Sequence, residues 1–123
     1  MAGFQNNKTV QDFLSAKSEF SQTLFHHFVE TYTKIAPVTL HPTKTMIGIA
    51  HGEKKIAWIT QVGRNFIHIV FPFSKPYPDN LCFQKIAQVP GDQHQFNHHF
   101  RMCDTSDLND EVEQFMAMAC MDE

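Results

Sequence analysis

The 123-residue sequence predicts an α+β domain in which an antiparallel sheet of about five strands packs one face against an N-terminal and a C-terminal helix. Short segments rich in β-branched and aromatic residues follow one another in the middle of the chain, separated by turn residues, as in a sheet. Longer segments near both ends repeat their apolar residues every three or four positions, which is the spacing of an amphipathic helix. The length fits a single domain over residues 1–123.

The first element is a long helix, expected over residues 10–36. Thr9 and Asp12 have the spacing of a capping box, in which a hydroxyl and a carboxylate three residues later satisfy backbone N–H groups. Pro37 ends the helix because proline cannot continue it. One apolar stripe is expected to face the sheet, formed by Phe13, Phe20, Leu24, Phe25, Phe28, Val29, Tyr32 and Ile35.

Three strands are expected next, over residues 44–50, 56–62 and 65–71, joined by a four-residue loop and by a type II′ turn at Gly63-Arg64. Pairing Val62 with Asn65 then divides the side chains between two faces. The face predicted to be core carries Ile47, Ile49, Ile56, Trp58, Thr60, Val62, Ile67, Ile69 and Phe71. The second face is a mixture of polar and apolar residues, namely Met46, Gly48, Ala50, Lys55, Ala57, Ile59, Gln61, Phe66, His68 and Val70.

The rest of the chain supplies two more strands, over residues 81–89 and 95–103, and a helix over residues 106–121. A proline-rich loop over residues 72–80 precedes them. The strand over 95–103 is expected to alternate Phe96, His98, Phe100 and Met102 against Asn97, His99 and Arg101. The apolar stripe of the last helix is Leu108, Val112, Phe115 and Ala119.

Composition points to the cytoplasm. The three cysteines, Cys82, Cys103 and Cys120, are widely spaced and predict neither a disulfide framework nor a zinc motif. The start lacks a signal-peptide pattern, and no apolar run is long enough to cross a membrane. The net charge is −3, yet residues 44–101 hold seven basic and three acidic residues, whereas residues 102–123 hold seven acidic residues and no basic one.

No motif for catalysis, metal binding or cofactor binding stands out. Eight histidines are present, but they lack the spacing of metal ligands; His98 and His99, for instance, should lie on opposite faces of a strand. The sequence has no GxSxG motif, P-loop or GxGxxG motif. We therefore expect no catalytic residue, no metal site and no cofactor.

The second sheet face is the predicted functional surface, because aromatic and basic residues are mixed on it. The alternative is that other parts of the chain cover this face and make it a second layer of core. The candidate ligand-binding residues are Lys44, Ile59, Phe66, His68, Tyr77 and Arg101. A protein or small ligand is the favoured partner. Nucleic acid is the less favoured alternative, since the sequence lacks the RNA-binding pattern of aromatic sheet domains and its basic excess is small. Homodimerisation is a further alternative, because an open sheet leaves edges and a face to be covered.

Two segments, TKTMIGIAHGEKKIAWI and HHFRMCDTSDLNDEVEQFMAMA, resemble a small bacterial α+β family of unknown function that is sometimes appended to nuclease-like proteins. The resemblance spans roughly residues 12–121 and implies the order helix, antiparallel strands, helix, without established catalytic residues. More distantly, the layout is similar to YdhG-like domains, one branch of which has been linked to frataxin-like iron delivery. This implies an alternative function, iron handling by the acidic residues of the C-terminal helix: Asp104, Asp107, Asp110, Glu111 and Glu113.

Overall fold

The computed structural model describes residues 9–121, which form a six-stranded antiparallel sheet with helices packed against it. The elements in chain order are α1 (Val10–Leu14), α2 (Glu19–Ile35), β1 (Thr39–Pro42), β2 (Ile47–His51), β3 (Lys54–Val62), β4 (Ile67–Phe73), β5 (Lys85–Gln88), β6 (Phe96–Met102) and α3 (Asp110–Met121), with a 3₁₀ turn at Thr105–Asp107. The strand order is β1-β2-β3-β4-β6-β5. The predicted α+β class is confirmed. No helix within residues 9–121 is long and apolar enough to cross a membrane.

The predicted N-terminal helix is divided into α1 and α2. The capping box of Thr9 and Asp12 is present at the start of α1. Ser18 caps the start of the second helix, α2: its side-chain oxygen accepts a hydrogen bond from the N–H of Ser21. The Ser18 hydroxyl donates in turn to the carbonyl of Arg64, at 2.6 Å, and so ties α2 to the loop between β3 and β4. Phe20 is 45 % exposed at this end of α2, so its predicted place in the apolar stripe is wrong.

Residues 39–42, which lie between the predicted first helix and the predicted first strand, form the edge strand β1. Pro42 is compatible with this position because an edge strand needs backbone hydrogen bonds on one side only. The other edge, β5, is also four residues long, shorter than predicted, and begins at Lys85. Short strands with proline or lysine at the edges discourage pairing with a second sheet.

The helices cover one face of the sheet and share a core with it. Phe28 of α2 packs against Phe71 of β4, and Phe115 of α3 packs against Phe73. The hydroxyl of Tyr32 donates to the backbone carbonyl of Met116 at 2.8 Å, which joins α2 to α3. The last helix begins at Asp110 and not at residue 106. Val112, Phe115 and Ala119 of its predicted stripe are buried in α3, and Leu108 is buried just before the helix.

Two β-bulges in β3 change which of its side chains reach the core. Ile47 pairs with Ile59, whereas the predicted register pairs Ile47 with Trp58. The extra residues of the bulges are Ile56 and Thr60. Because a one-residue shift turns a side chain to the other face, Ile59 is completely buried in the core and Trp58 lies on the opposite face. The predicted positions of Trp58 and Ile59 are therefore both wrong.

The turns explain part of this difference. Val62 pairs with Ile67, so residues 63–66 form a four-residue loop, which the Gly63 N–H closes by donating to the carbonyl of Phe66 at 2.8 Å. The two-residue turn lies instead at Gly52, between His51 and Lys54, where Gly52 has a φ of 66°. The first central position of a type II′ turn requires a positive φ, which glycine adopts readily. The predicted turn was thus assigned to the wrong glycine.

The register of β3 predicts unequal effects of two neighbouring substitutions. Ile59→Ala should lower the free energy of unfolding by about 2–5 kcal/mol, because it leaves a cavity in the core. Thr60→Ala, on the opposite face, should cost less than about 1 kcal/mol. Urea denaturation followed by circular dichroism measures both values, and equal losses would contradict the observed register.

Candidate ligand-binding face

We call the sheet face opposite the helices the open face. Its central row of cross-strand neighbours takes one residue from each strand in sheet order: His41, Gly48, Trp58, Val70, His99 and Lys85. A second row consists of Gln61, His68 and Arg101. Lys55 lies beside Trp58, and Phe66 lies beside Arg101. These two rows and the two flanking side chains define the open face.

A depression of about 420 Å³ lies in the middle of the open face. It is lined by Met46, Trp58, Thr60, His68, Val70, Pro72, Gln95, Asn97 and His99. Ligand pockets in proteins commonly enclose roughly 300–1,000 Å³ and combine apolar walls with a few polar groups. This depression has that size and that mixture, with an indole and aliphatic groups beside two imidazoles and two carboxamides.

Trp58 owes its position to the glycine opposite it. A Cβ atom added to Gly48 would lie 2.9 Å from Cζ3 of the Trp58 ring, so the indole lies directly over the β2 backbone. A glycine inside a strand commonly marks such a close approach. The ammonium of Lys55 lies 5.9 Å from the centroid of the Trp58 ring, within range of a cation–π contact. The half-exposed indole forms one wall of the depression.

Phe66 and Arg101 form a second aromatic platform. The guanidinium carbon of Arg101 lies 4.1 Å from the centroid of the Phe66 ring. On the loop side, Gly63 leaves room for the same ring, because a Cβ atom at that position would overlap it. Phe66 is half-buried and Arg101 is exposed, so a flat cationic group faces the solvent.

His68 and His99 are paired across β4 and β6. Nε2 of His68 and Nδ1 of His99 are 2.9 Å apart, so one ring donates a hydrogen bond to the other. Burial, followed by the charges of Arg101 and Lys85, lowers the pKa of His68. Burial also lowers the pKa of His99, and His68, Lys85 and His98 add to that shift. Both rings are therefore neutral at pH 7 and can exchange donor and acceptor roles.

The strands are free of acidic residues. None of the six strands contains an aspartate or glutamate. The cross-strand partners of Lys55, Lys85 and Arg101 are Ala50, His99 and His68, respectively. The fixed charges of the open face are thus all positive, which favours an anionic ligand.

The predicted site residues are divided by the fold. Phe66, His68 and Arg101 come together on the open face. Lys44 is exposed in the loop between β1 and β2. Ile59 is buried in the core, so its predicted position on the second face is corrected.

Tyr77 lies on the helical side of the sheet, away from the open face. Its ring packs against Phe73 and Phe115, and its backbone N–H donates to Nε2 of His98 at 3.1 Å. His98 is fully buried, and its Nδ1 donates to the carbonyl of Phe96 at 2.8 Å. Tyr77 and His98 therefore anchor the proline-rich loop to the core.

Sequence reasoning missed two residues of the face, Trp58 and His99. Gly48 was the available signal for Trp58, because a glycine inside an apolar strand marks a place where another group lies close to the backbone. For His99 the signal was its alternation with Arg101 along one strand, which places both side chains on the same face.

The acidic residues near α3 act mainly as hydrogen-bond acceptors. Asp107 accepts from the N–H groups of Cys103 and Asp104, and Asp104 accepts from the N–H of Ser106. Glu111 accepts from the N–H of Leu81 at 2.9 Å. Within residues 9–121, no three His, Cys, Asp or Glu side chains are grouped as metal ligands. The iron-handling alternative stays a prediction that these contacts do not favour.

Comparison of the chain with protein-family models, curated proteins and solved structures gives no match. The resemblance to the bacterial family therefore stays a prediction. The function has to be inferred from the geometry and charge of the open face.

The contact between Gly48 and Trp58 predicts a spectroscopic change. Gly48→Ala should push the indole off β2 and into solvent, because the added methyl group would meet the ring at 2.9 Å. Trp58 is the single tryptophan, so its fluorescence emission should shift to longer wavelength. Gly63→Ala, which displaces Phe66 instead, serves as the control and should leave the emission unchanged. An unshifted emission spectrum of Gly48→Ala would contradict the contact.

The histidine pair predicts how stability changes with pH. Because burial and nearby cations lower the pKa of His68 and His99 in the folded state, the unfolded chain takes up protons first as the pH falls. The free energy of unfolding should therefore decrease from pH 7.5 to 5.5, and NMR titration should give both rings pKa values below the usual value of about 6.5.

A double variant isolates this contribution. In the double variant His68→Gln/His99→Gln, the free energy of unfolding should decrease less between pH 7.5 and 5.5 than in the unmodified protein. The control His26→Gln, at an exposed position on α2, should leave this decrease unchanged. An unchanged pH dependence in the double variant would show that the pair does not contribute.

Proposed function

We propose that the protein is a non-enzymatic binding module whose open face takes up a planar, negatively charged ligand. The observation that carries the proposal is a sheet whose strands contain no acidic residue and whose open face has Trp58 and Phe66 beside basic side chains. A planar group can stack on one of these rings while its negative charge is attracted by the surrounding cations.

Charge supports an anion as the ligand. Lys85 and Arg101 lie close enough to the histidine pair to lower the pKa of His68, so their field extends over the depression. An anion in the depression would offset this field and would make protonation of either imidazole easier. Binding should consequently strengthen as the pH falls toward the pKa values of the pair.

The polar groups of the depression support recognition rather than catalysis. Asn97 and Gln95 offer amide donors and acceptors on the same wall as His99. The hydrogen bond between the two imidazoles uses Nε2 of His68 and Nδ1 of His99, so each ring keeps a second nitrogen with which it can hydrogen-bond a ligand. Burial and the neighbouring Glu111 raise the pKa of the Cys82 thiol to about 12, which keeps that thiol protonated and weakly reactive.

A panel of small planar anions tests the proposal. Benzoate, indole-3-acetate and AMP are titrated into the protein while the single indole N–H signal of Trp58 is followed by NMR. At least one probe should shift this signal saturably, together with signals of His68 and His99. Lys85→Glu should weaken that binding about tenfold through charge reversal, whereas Lys34→Glu, on α2, should leave it unchanged. The proposal is overturned if no probe shifts the Trp58 signal or if the shifts cluster on the helices.

A further inference from the structure

We infer that the ligand of the open face is a single-stranded nucleic acid, with one base against Trp58 and another against the Phe66–Arg101 platform. This inference rests on the proposed function, because it names the chemical class of the planar anion. It depends on how the rings and cations are distributed over the sheet.

The two aromatic platforms are too far apart for one small ligand. Trp58 is the cross-strand neighbour of Val70, and Phe66 lies four positions before Val70, directly before the start of β4. Four residues of an extended strand span roughly 13 Å. A single planar ring can therefore stack on one platform only, whereas a short chain of bases can occupy both.

The basic residues are dispersed in the same way. Lys55, Arg101 and Lys85 lie on β3, β6 and β5, respectively, and β3 is three strand positions from β5. Three interstrand steps correspond to roughly 14 Å. One carboxylate or phosphate cannot contact all three cations, but the repeated phosphates of a polynucleotide can.

Both platforms are suited to unpaired bases. The guanidinium carbon of Arg101 lies 4.1 Å from the centroid of the Phe66 ring. Unpaired bases in protein complexes commonly stack on guanidinium planes and aromatic rings of this kind. Every base has a π-face, so such stacking tolerates any sequence. Bases inside a duplex are already stacked on each other and could not use these platforms.

A second copy of the chain is a poorer occupant of the open face. Two such faces brought together by a twofold axis would oppose Lys55, Lys85 and Arg101 without any carboxylate from the strands. Like charges facing each other destabilise an interface. An acidic peptide carries the negative charge that the face attracts, but it has no bases to stack on the two platforms. Polyglutamate therefore serves as a competitor.

Fluorescence anisotropy with a labelled ten-nucleotide oligo-dT tests the inference. Binding should be in the micromolar range, as is usual for sequence-independent contacts. Three phosphate contacts on a single strand give a slope of about −2 for log affinity against log salt. Raising the salt from 50 to 200 mM should then weaken binding about 15-fold.

Matched variants locate the contact. Phe66→Ala removes one stacking platform and should lower the affinity for oligo-dT about fivefold or more. The affinity for AMP should stay unchanged, because AMP binds in the depression, which Phe66 does not line. Phe20→Ala removes an exposed phenyl ring from α2 and should change neither affinity. Circular dichroism of each variant verifies that it is folded.

The outcomes separate the two proposals. If the small anions bind at Trp58 but oligo-dT binds no more tightly than dTMP, the present inference fails and the proposed function stands. Equal binding of a ten-base-pair duplex, or equally effective competition by polyglutamate, also overturns it, because neither polymer offers unpaired bases. If neither the small anions nor oligo-dT bind, both proposals fail.

Discussion

Burial of one sheet face beneath α2 and α3 is the constraint on which the rest of this structure depends. Ile47, Ile59 and Ile69 form a continuous buried row across three strands. The hydrogen bond from Tyr32 to the Met116 carbonyl holds the two helices together above the same face of the sheet. Because side chains alternate along a strand, burying this row turns Trp58 and its neighbours toward solvent.

The parts of the fold that could be predicted are those with an unambiguous pattern. Strand β6 alternates strictly, so the buried position of His98 and the outward position of His99 follow from the sequence. Strand β3 is apolar at four consecutive positions, 56–59, and alternation cannot decide which of them face the core. The bulge at Ile56 allows Ile56 and Ala57 to be buried together, although they are adjacent in the strand. The position of the bulge depends on the pairing with neighbouring strands and cannot be predicted from the alternation within β3.

The candidate site follows the same division. Phe66, His68 and Arg101 could be assigned to one surface because the alternation of β4 and β6 is clear. The contact between His68 and His99 could not, since it joins residues 31 positions apart and requires β6 to lie next to β4. Trp58 was assigned to the core because the predicted register was wrong by one residue. Gly48 could have indicated its true position, because a glycine inside a strand marks a place where another group lies close to the backbone. Interactions within one strand were therefore predictable, and those that depend on strand order were not.

Charge shows why an average over the whole chain is a poor guide to a binding face. The net charge of −3 argues against a polyanionic ligand, yet no strand contributes a carboxylate to it. Asp104, Asp107 and Glu111 instead accept hydrogen bonds from backbone N–H groups near α3. Lys55, Lys85 and Arg101 lie on the open face, so the net charge of the whole chain does not describe the charges that a ligand meets there.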